Sequence, residues 1–108
     1  MADAYIVAGL KEWQESLEKK RDALIELDHK AMQEYELLKV KYNIATKACQ
    51  KAEDSEIYYD LYVEKIETEM KEKEQLMIDT HHDNRKAIDD LNILIKNIED
   101  AVEASDGL

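Results

Sequence analysis

Apolar residues recur at every seventh position along the first half of the chain: Leu10, Leu17, Leu24, Ala31, Leu38, Ala45 and Ala52. Such a repeat marks a helix that buries one stripe against another helix, as in coiled coils. A companion line begins as Ile6, Trp13, Lys20 and Leu27, then moves on by one residue to Tyr35, Tyr42 and Cys49. That step predicts a phase shift, with a local change of supercoil, around Ala31 to Tyr35.

The second half repeats the device with a patchier seam. One line holds Val63, Met70, Met77, Asn84, Leu91 and Ile98; its companion holds Tyr59, Ile66, Lys73, Thr80, Ala87, Leu94 and Ala101. Good helix formers fill the positions between. Glu15 with Lys19, Glu26 with Lys30, Glu67 with Lys71 and Glu69 with Lys73 are Glu-first i,i+4 pairs, each contributing a few tenths of a kcal/mol.

Between the halves, Glu53-Asp54-Ser55-Glu56 is the best candidate break, because Asp54 or Ser55 can cap a new helix and acidic residues suit its first turn. The reading is one module over residues 1–108: a helix over about 4–52, a turn over 53–56, a helix over about 57–104 and a short C-terminal tail. With no proline or glycine to enforce the turn, a single continuous helix of roughly 100 residues, about 150 Å at 1.5 Å per residue, stays open as an alternative. Weak helix formers cluster again at Asp79 to Asn84, where the helix is expected to continue, with or without a kink. Ser105-Asp106-Gly107-Leu108 reads as a stop, with Gly107 able to adopt the left-handed conformation that ends helices.

Composition narrows the class. The chain has 108 residues, no proline, two glycines and 38% charged residues, which suits long helices better than an α/β core. Phenylalanine is absent and tryptophan occurs once, at Trp13, so a lone chain builds only a thin seam and a partner is expected to complete the burial. The fold class is all-α: an antiparallel helical hairpin of coiled-coil type, completed to a four-helix bundle by dimerisation. Trp13, Leu17, Leu24, Leu27, Leu38, Met70, Met77, Leu91 and Ile98 are the expected core, with Asn84 setting register at some cost in stability. Tyr42 lies on the seam. Tyr58, Tyr59, Leu61 and Tyr62 cover more than one helical face and either meet another chain or plug the bundle end beside the turn.

The formal charge of −11 is uneven: residues 1–53 carry 9 basic and 10 acidic side chains, whereas residues 54–108 carry 6 and 16. An acidic half repels phosphate backbones, so direct nucleic-acid binding is not expected. It either keeps the chain soluble or steers a basic protein segment. The longest apolar run, Tyr5 to Leu10, falls far short of the ~20 residues of a membrane span, and no secretory signal precedes it. Cys49 has no cysteine partner in the chain, which fits a reducing, intracellular setting.

Candidate chemistry is sparse. Asp79 and His82 show the carboxylate-x-x-His spacing of di-iron bundles, but those need a second such pair, which the sequence lacks. Adjacent His81 and His82 do not form the i,i+4 zinc pair, and Cys49 has no C-x-x-C partner. No phosphate loop or nucleophile elbow can be built. The expectation is a non-enzyme with no cofactor and no metal.

Leu17-Glu-Lys-Lys-Arg-Asp-Ala-Leu-Ile-Glu-Leu-Asp28 resembles the early helix of inhibitor of growth proteins. Gln75-Leu76 with Thr80, Lys86, Ile88, Leu91-Asn92, Ile95 and Glu99 follows the spacing of that family's second helix. The resemblance covers about half the chain and implies the family's N-terminal module, a dimerising hairpin that tethers histone acetyltransferase or deacetylase complexes through their scaffold subunits; the setting would then be nuclear, and otherwise cytoplasmic. The proline usual after the family's first turns is missing here, as are its basic region and PHD finger, so recognition of methylated lysine does not carry over. Two rival readings remain. One is a monomeric helical chaperone or cofactor that holds a client on an acidic, tyrosine-bearing face, by broad analogy with small tubulin-folding cofactors; the other is a metal-dependent bundle enzyme using Asp79 and His82.

Overall fold

The computed structural model describes residues 3–106, and they are helical except around one turn. Helix α1 spans Ala4–Lys51, α2 spans Ser55–Tyr58, a π-helical turn spans Tyr59–Val63 and α3 spans Glu64–Asp106. Asp3 opens α1: its side chain accepts from the Tyr5 amide at 2.9 Å, and its carbonyl accepts from Val7 at 3.1 Å. The turn occupies Ala52 to Asp54. Asp54 caps the new helix, its carboxylate accepting from the Ile57 amide at 3.1 Å, and so satisfies a donor that the first turn leaves free. Gly107, the expected helix stop, lies outside the described residues.

The chain divides into two compact units. In the turn unit, Asp28 to His81, α1 and α3 run antiparallel: Asp28 meets His81, and Glu34, six residues on, meets Lys73. The single-continuous-helix alternative is thereby excluded. The terminal unit joins the residues up to Leu27 with those from His82 onward, and it too is antiparallel, with Gln14 against Glu99, Arg21 against Asn92 and Leu24 against Asn84. Helix α3 runs unbroken through Asp79 to Asn84.

Burial redraws the companion seams. On α1 the line Leu10 to Ala52 faces inward throughout, but the line beside it is Val7, Gln14, Arg21, Asp28, Tyr35, Tyr42 and Cys49, an unbroken heptad. The expected phase shift is absent. Ile6, Trp13 and Leu27 lie one residue off the seam and are 56, 47 and 57% exposed; Lys20 is exposed beside them. The cause is that Gln14, Arg21 and Asp28 find cross-helix polar partners, so a polar line is tolerated inside and the more apolar line is left out.

In α3 the shift occurs where regular spacing was expected. Inward positions run Ala87, Leu91, Ile95, Ile98 and Val102, with two four-residue steps in succession after Ala87, a stutter that locally unwinds the supercoil. Leu94 (37% exposed) and Ala101 therefore turn outward, while Ile95, Ile98 and Val102 are buried. A strict seven-residue continuation from Ala87 would have drifted off the face of the helix, and the β-branched residues one place on correct the drift. Val63, 1% exposed, is the most deeply buried of the described residues, whereas α1 has no fully buried side chain.

Candidate interaction surfaces

With so little fully enclosed, what the two units present outward decides what the chain can do. In the turn unit the π-helical turn accommodates one extra residue, its ladder closing from the Glu64 amide to the Tyr59 carbonyl. Val63 is drawn fully inside while Tyr59, Leu61 and Tyr62 are left exposed. The Tyr58 and Tyr62 rings stand 4.8 Å apart at 51°, a tilted aromatic pair. The Tyr59 hydroxyl donates to the Glu67 carboxylate, which also pairs with Lys71 at 3.2 Å. That hydrogen bond is the main cause of a Tyr59 phenol pushed up to about 12, with burial and the negative charge of Glu67 adding to it. The same bond, helped by Lys71, holds the Glu67 carboxyl below its ordinary value. Beside them, Cys49, Ser55, Glu56, Tyr59 and Asp60 line an open cleft of about 470 Å³, and the Cys49 thiol donates to the Ser55 carbonyl at 3.3 Å.

Elsewhere in this unit Leu38, Met70 and Met77 are half-buried along the seam, as is Tyr42. Lys73 reaches across to Glu34 at 3.3 Å, so its partner is on α1 and not the expected Glu69. His81 Nδ1 lies 2.7 Å from Asp28 Oδ2. His82 is exposed, and Asp79 accepts from Gln75 at 2.9 Å. Among the described residues no three His, Cys, Asp or Glu side chains are grouped to hold a metal ion.

In the terminal unit Leu17, Leu24, Asn84 and Leu91 are half-buried and Ile98 is buried. The two flanks of this helix pair differ. Counted at about 100° per residue, Asn92 and Glu99 stand on one flank of the inward line of α3, and Leu94 and Ala101 on the other. On α1, Gln14 and Arg21 lean towards one flank, with Ile6, Trp13, Lys20 and Leu27 on the opposite one. The hydrogen bonds Gln14 to Glu99 (3.3 Å) and Arg21 to Asn92 (3.2 Å) join the first flanks of the two antiparallel helices into one polar side. The second flanks consequently share the other side, where Ile6, Trp13 and Leu27 of α1 stand with Leu94 and Ala101 of α3. The outward stretches of the two expected companion lines, Ile6 to Leu27 of α1 and Leu94 with Ala101 of α3, thus flank a single outer face of the terminal unit, while Tyr35, Tyr42, Cys49, Ile66, Lys73, Thr80 and Ala87 stay half-buried on the seam. The signal was present in the sequence as an apolar line with a more polar line beside it, and nothing in the pattern told which of the two faces its own partner helix.

No described helix is long and apolar enough to cross a membrane. No protein-family model, curated protein or solved structure matches the chain, so the likeness to inhibitor of growth proteins rests on the residues quoted for it.

Proposed function

We propose that the chain is a non-catalytic helical assembly module that self-associates as a dimer and tethers other proteins. The observation that carries this reading is the apolar outer face of the terminal unit. Trp13 is one of the residue types that most often anchor protein interfaces, and it stands about half exposed between Ile6 and Leu27 on one line. A helix with no fully buried side chain gains from a second partner what its first does not supply, since burying large apolar side chains is worth about 1.5–3 kcal/mol each. The exposed tyrosines at the turn offer a second, separate contact for the tethered protein. If the inhibitor of growth likeness holds, that protein is a scaffold subunit of a histone-modifying complex.

Sedimentation equilibrium over a wide concentration range tests the reading. A concentration-dependent dimer is the expected result. A strictly monomeric chain with fully formed helices would instead favour a holder of client proteins, the tyrosine-bearing turn then being the feature to pursue.

A further inference from the structure

The assembly reading leaves open which surface meets which, and the sequence of α1 answers more than its exposure does. Ile6, Trp13, Lys20 and Leu27 form one exposed line, and Gly9, Ser16 and Ala23 form the next line outward. Taken together they alternate three and four residues apart, which is a second heptad seam on a helix that already uses one for α3. Gly9 belongs to it. A glycine inside a helix costs roughly 0.5–1 kcal/mol relative to alanine, and a Cβ added there meets nothing within 4 Å, so nothing among the described residues requires the missing side chain. Its missing side chain leaves room for a helix approaching from outside.

We infer that this face of α1 docks on the same face of a second copy of the chain, antiparallel, about a twofold axis near Ser16. The inference rests on the assembly reading and specifies its interface. Its warrant is self-complementarity. Reversing the seam about Ser16 sets Ile6 against Leu27, Gly9 close to Ala23, and Trp13 against Lys20. The single charged side chain of the apolar line thereby meets the single aromatic one. A lysine over an indole face is a favourable cation–π pair, worth roughly 0.5–2 kcal/mol depending on how far it is desolvated, and its stem packs as apolar surface. On the outer rim the same operation brings Glu12 within reach of Lys19. A parallel, in-register pairing would instead stack Lys20 on Lys20. Helix α1 carries the contact, because on the matching flank of α3 the exposed acids Asp83 and Asp90 interrupt the apolar surface of Leu94 and Ala101.

Site-directed disulfide formation in the full chain, in a Cys49→Ser background, tests the arrangement alongside sedimentation. Ser16→Cys lies at the axis and is expected to give a covalent dimer on mild oxidation, whereas Glu15→Cys, about 100° round the helix and off the seam, is expected to give none. Trp13→Ala and Lys20→Glu are each expected to weaken dimerisation at least tenfold with the helical circular dichroism unchanged, both side chains being exposed in the single chain. A dimer that does not cross-link at Ser16→Cys, or cross-links equally at Glu15→Cys, overturns this interface and leaves the assembly reading standing. A monomer at every concentration overturns both.

Discussion

The Asn84 side-chain amide donates to the Leu24 carbonyl across 3.4 Å, a long contact to an oxygen that also lies within the helical ladder of α1. A hydrogen bond this long contributes little, while the amide displaces apolar surface from the seam. Asn84→Leu is therefore expected to raise stability by about 1 kcal/mol, since full burial of a leucine gives about 1.5–3 kcal/mol and the site is half-buried. It is also expected to broaden the range of oligomers, because a polar seam residue fixes register. Thermal melts with sedimentation on the same samples check both. A lower melting temperature at unchanged mass counts against Asn84 as a seam residue.

The stutter after Ala87 makes neighbouring isoleucines unequal. Ile95 is 4% exposed and Ile93 is 62% exposed, although the two stand only two residues apart on the same helix. Ile95→Ala is expected to cost about 2–5 kcal/mol, the transfer loss plus the cavity left behind, and Ile93→Ala less than about 0.5 kcal/mol. Denaturant titration of the two variants decides the matter, and equal losses would mean that the face of α3 is wrongly assigned.

What the sequence revealed, and where it stopped, follows from the same geometry. The line Leu10 to Ala52 was legible because its residues are apolar throughout and nothing beside them competes. The companion line was not: Ile6, Trp13 and Leu27 are more apolar than Val7, Gln14, Arg21 and Asp28, yet the second set faces α3. Periodicity reports that a helix has an apolar stripe, and on a helix with two stripes it does not say which of them faces α3. The choice depended on Glu99, Asn92 and His81, some 50 to 85 residues away along the chain, which supply polar partners at the matching heights. The turn, by contrast, is a local matter of Asp54 and the amides ahead of it, and local chemistry was enough to place it.

That cap is open to a direct test. Asp54 supplies a hydrogen bond to the Ile57 amide and a negative charge at a helix start, and Asp54→Ala is expected to destabilise the chain by about 1 kcal/mol. Asp54→Asn is expected to recover most of the loss, since its side-chain oxygen still accepts and only the interaction with the helix dipole is gone. Urea melts of the pair separate the two contributions. If both variants melt with the parent, the start of α2 is held by packing and not by its cap.

The Tyr59–Glu67 hydrogen bond predicts how the turn responds to pH, with opposite signs at the two ends of the scale. Tyr59 is raised from an ordinary phenol value near about 10 to about 12. Its contribution is therefore fully present below the ordinary value and is lost as the pH climbs through about 12. Glu67 is lowered, so its contribution is present above the ordinary glutamate range and is lost as the pH falls through the depressed value. The pair lies at the surface, Tyr59 exposed and Glu67 partly so, and the effect on global stability is correspondingly small; the spectroscopic reading is the sensitive one. Tyrosinate absorbance followed into strong alkali is expected to show a late step near pH 12 that Tyr59→Phe removes. Glu67→Gln is expected to move that step to lower pH, because it takes away the acceptor charge that holds the proton on the phenol. If neither substitution alters the late part of the curve, the hydrogen bond does not persist in solution, and Tyr59 belongs with Leu61 and Tyr62 as a free contact residue of the turn.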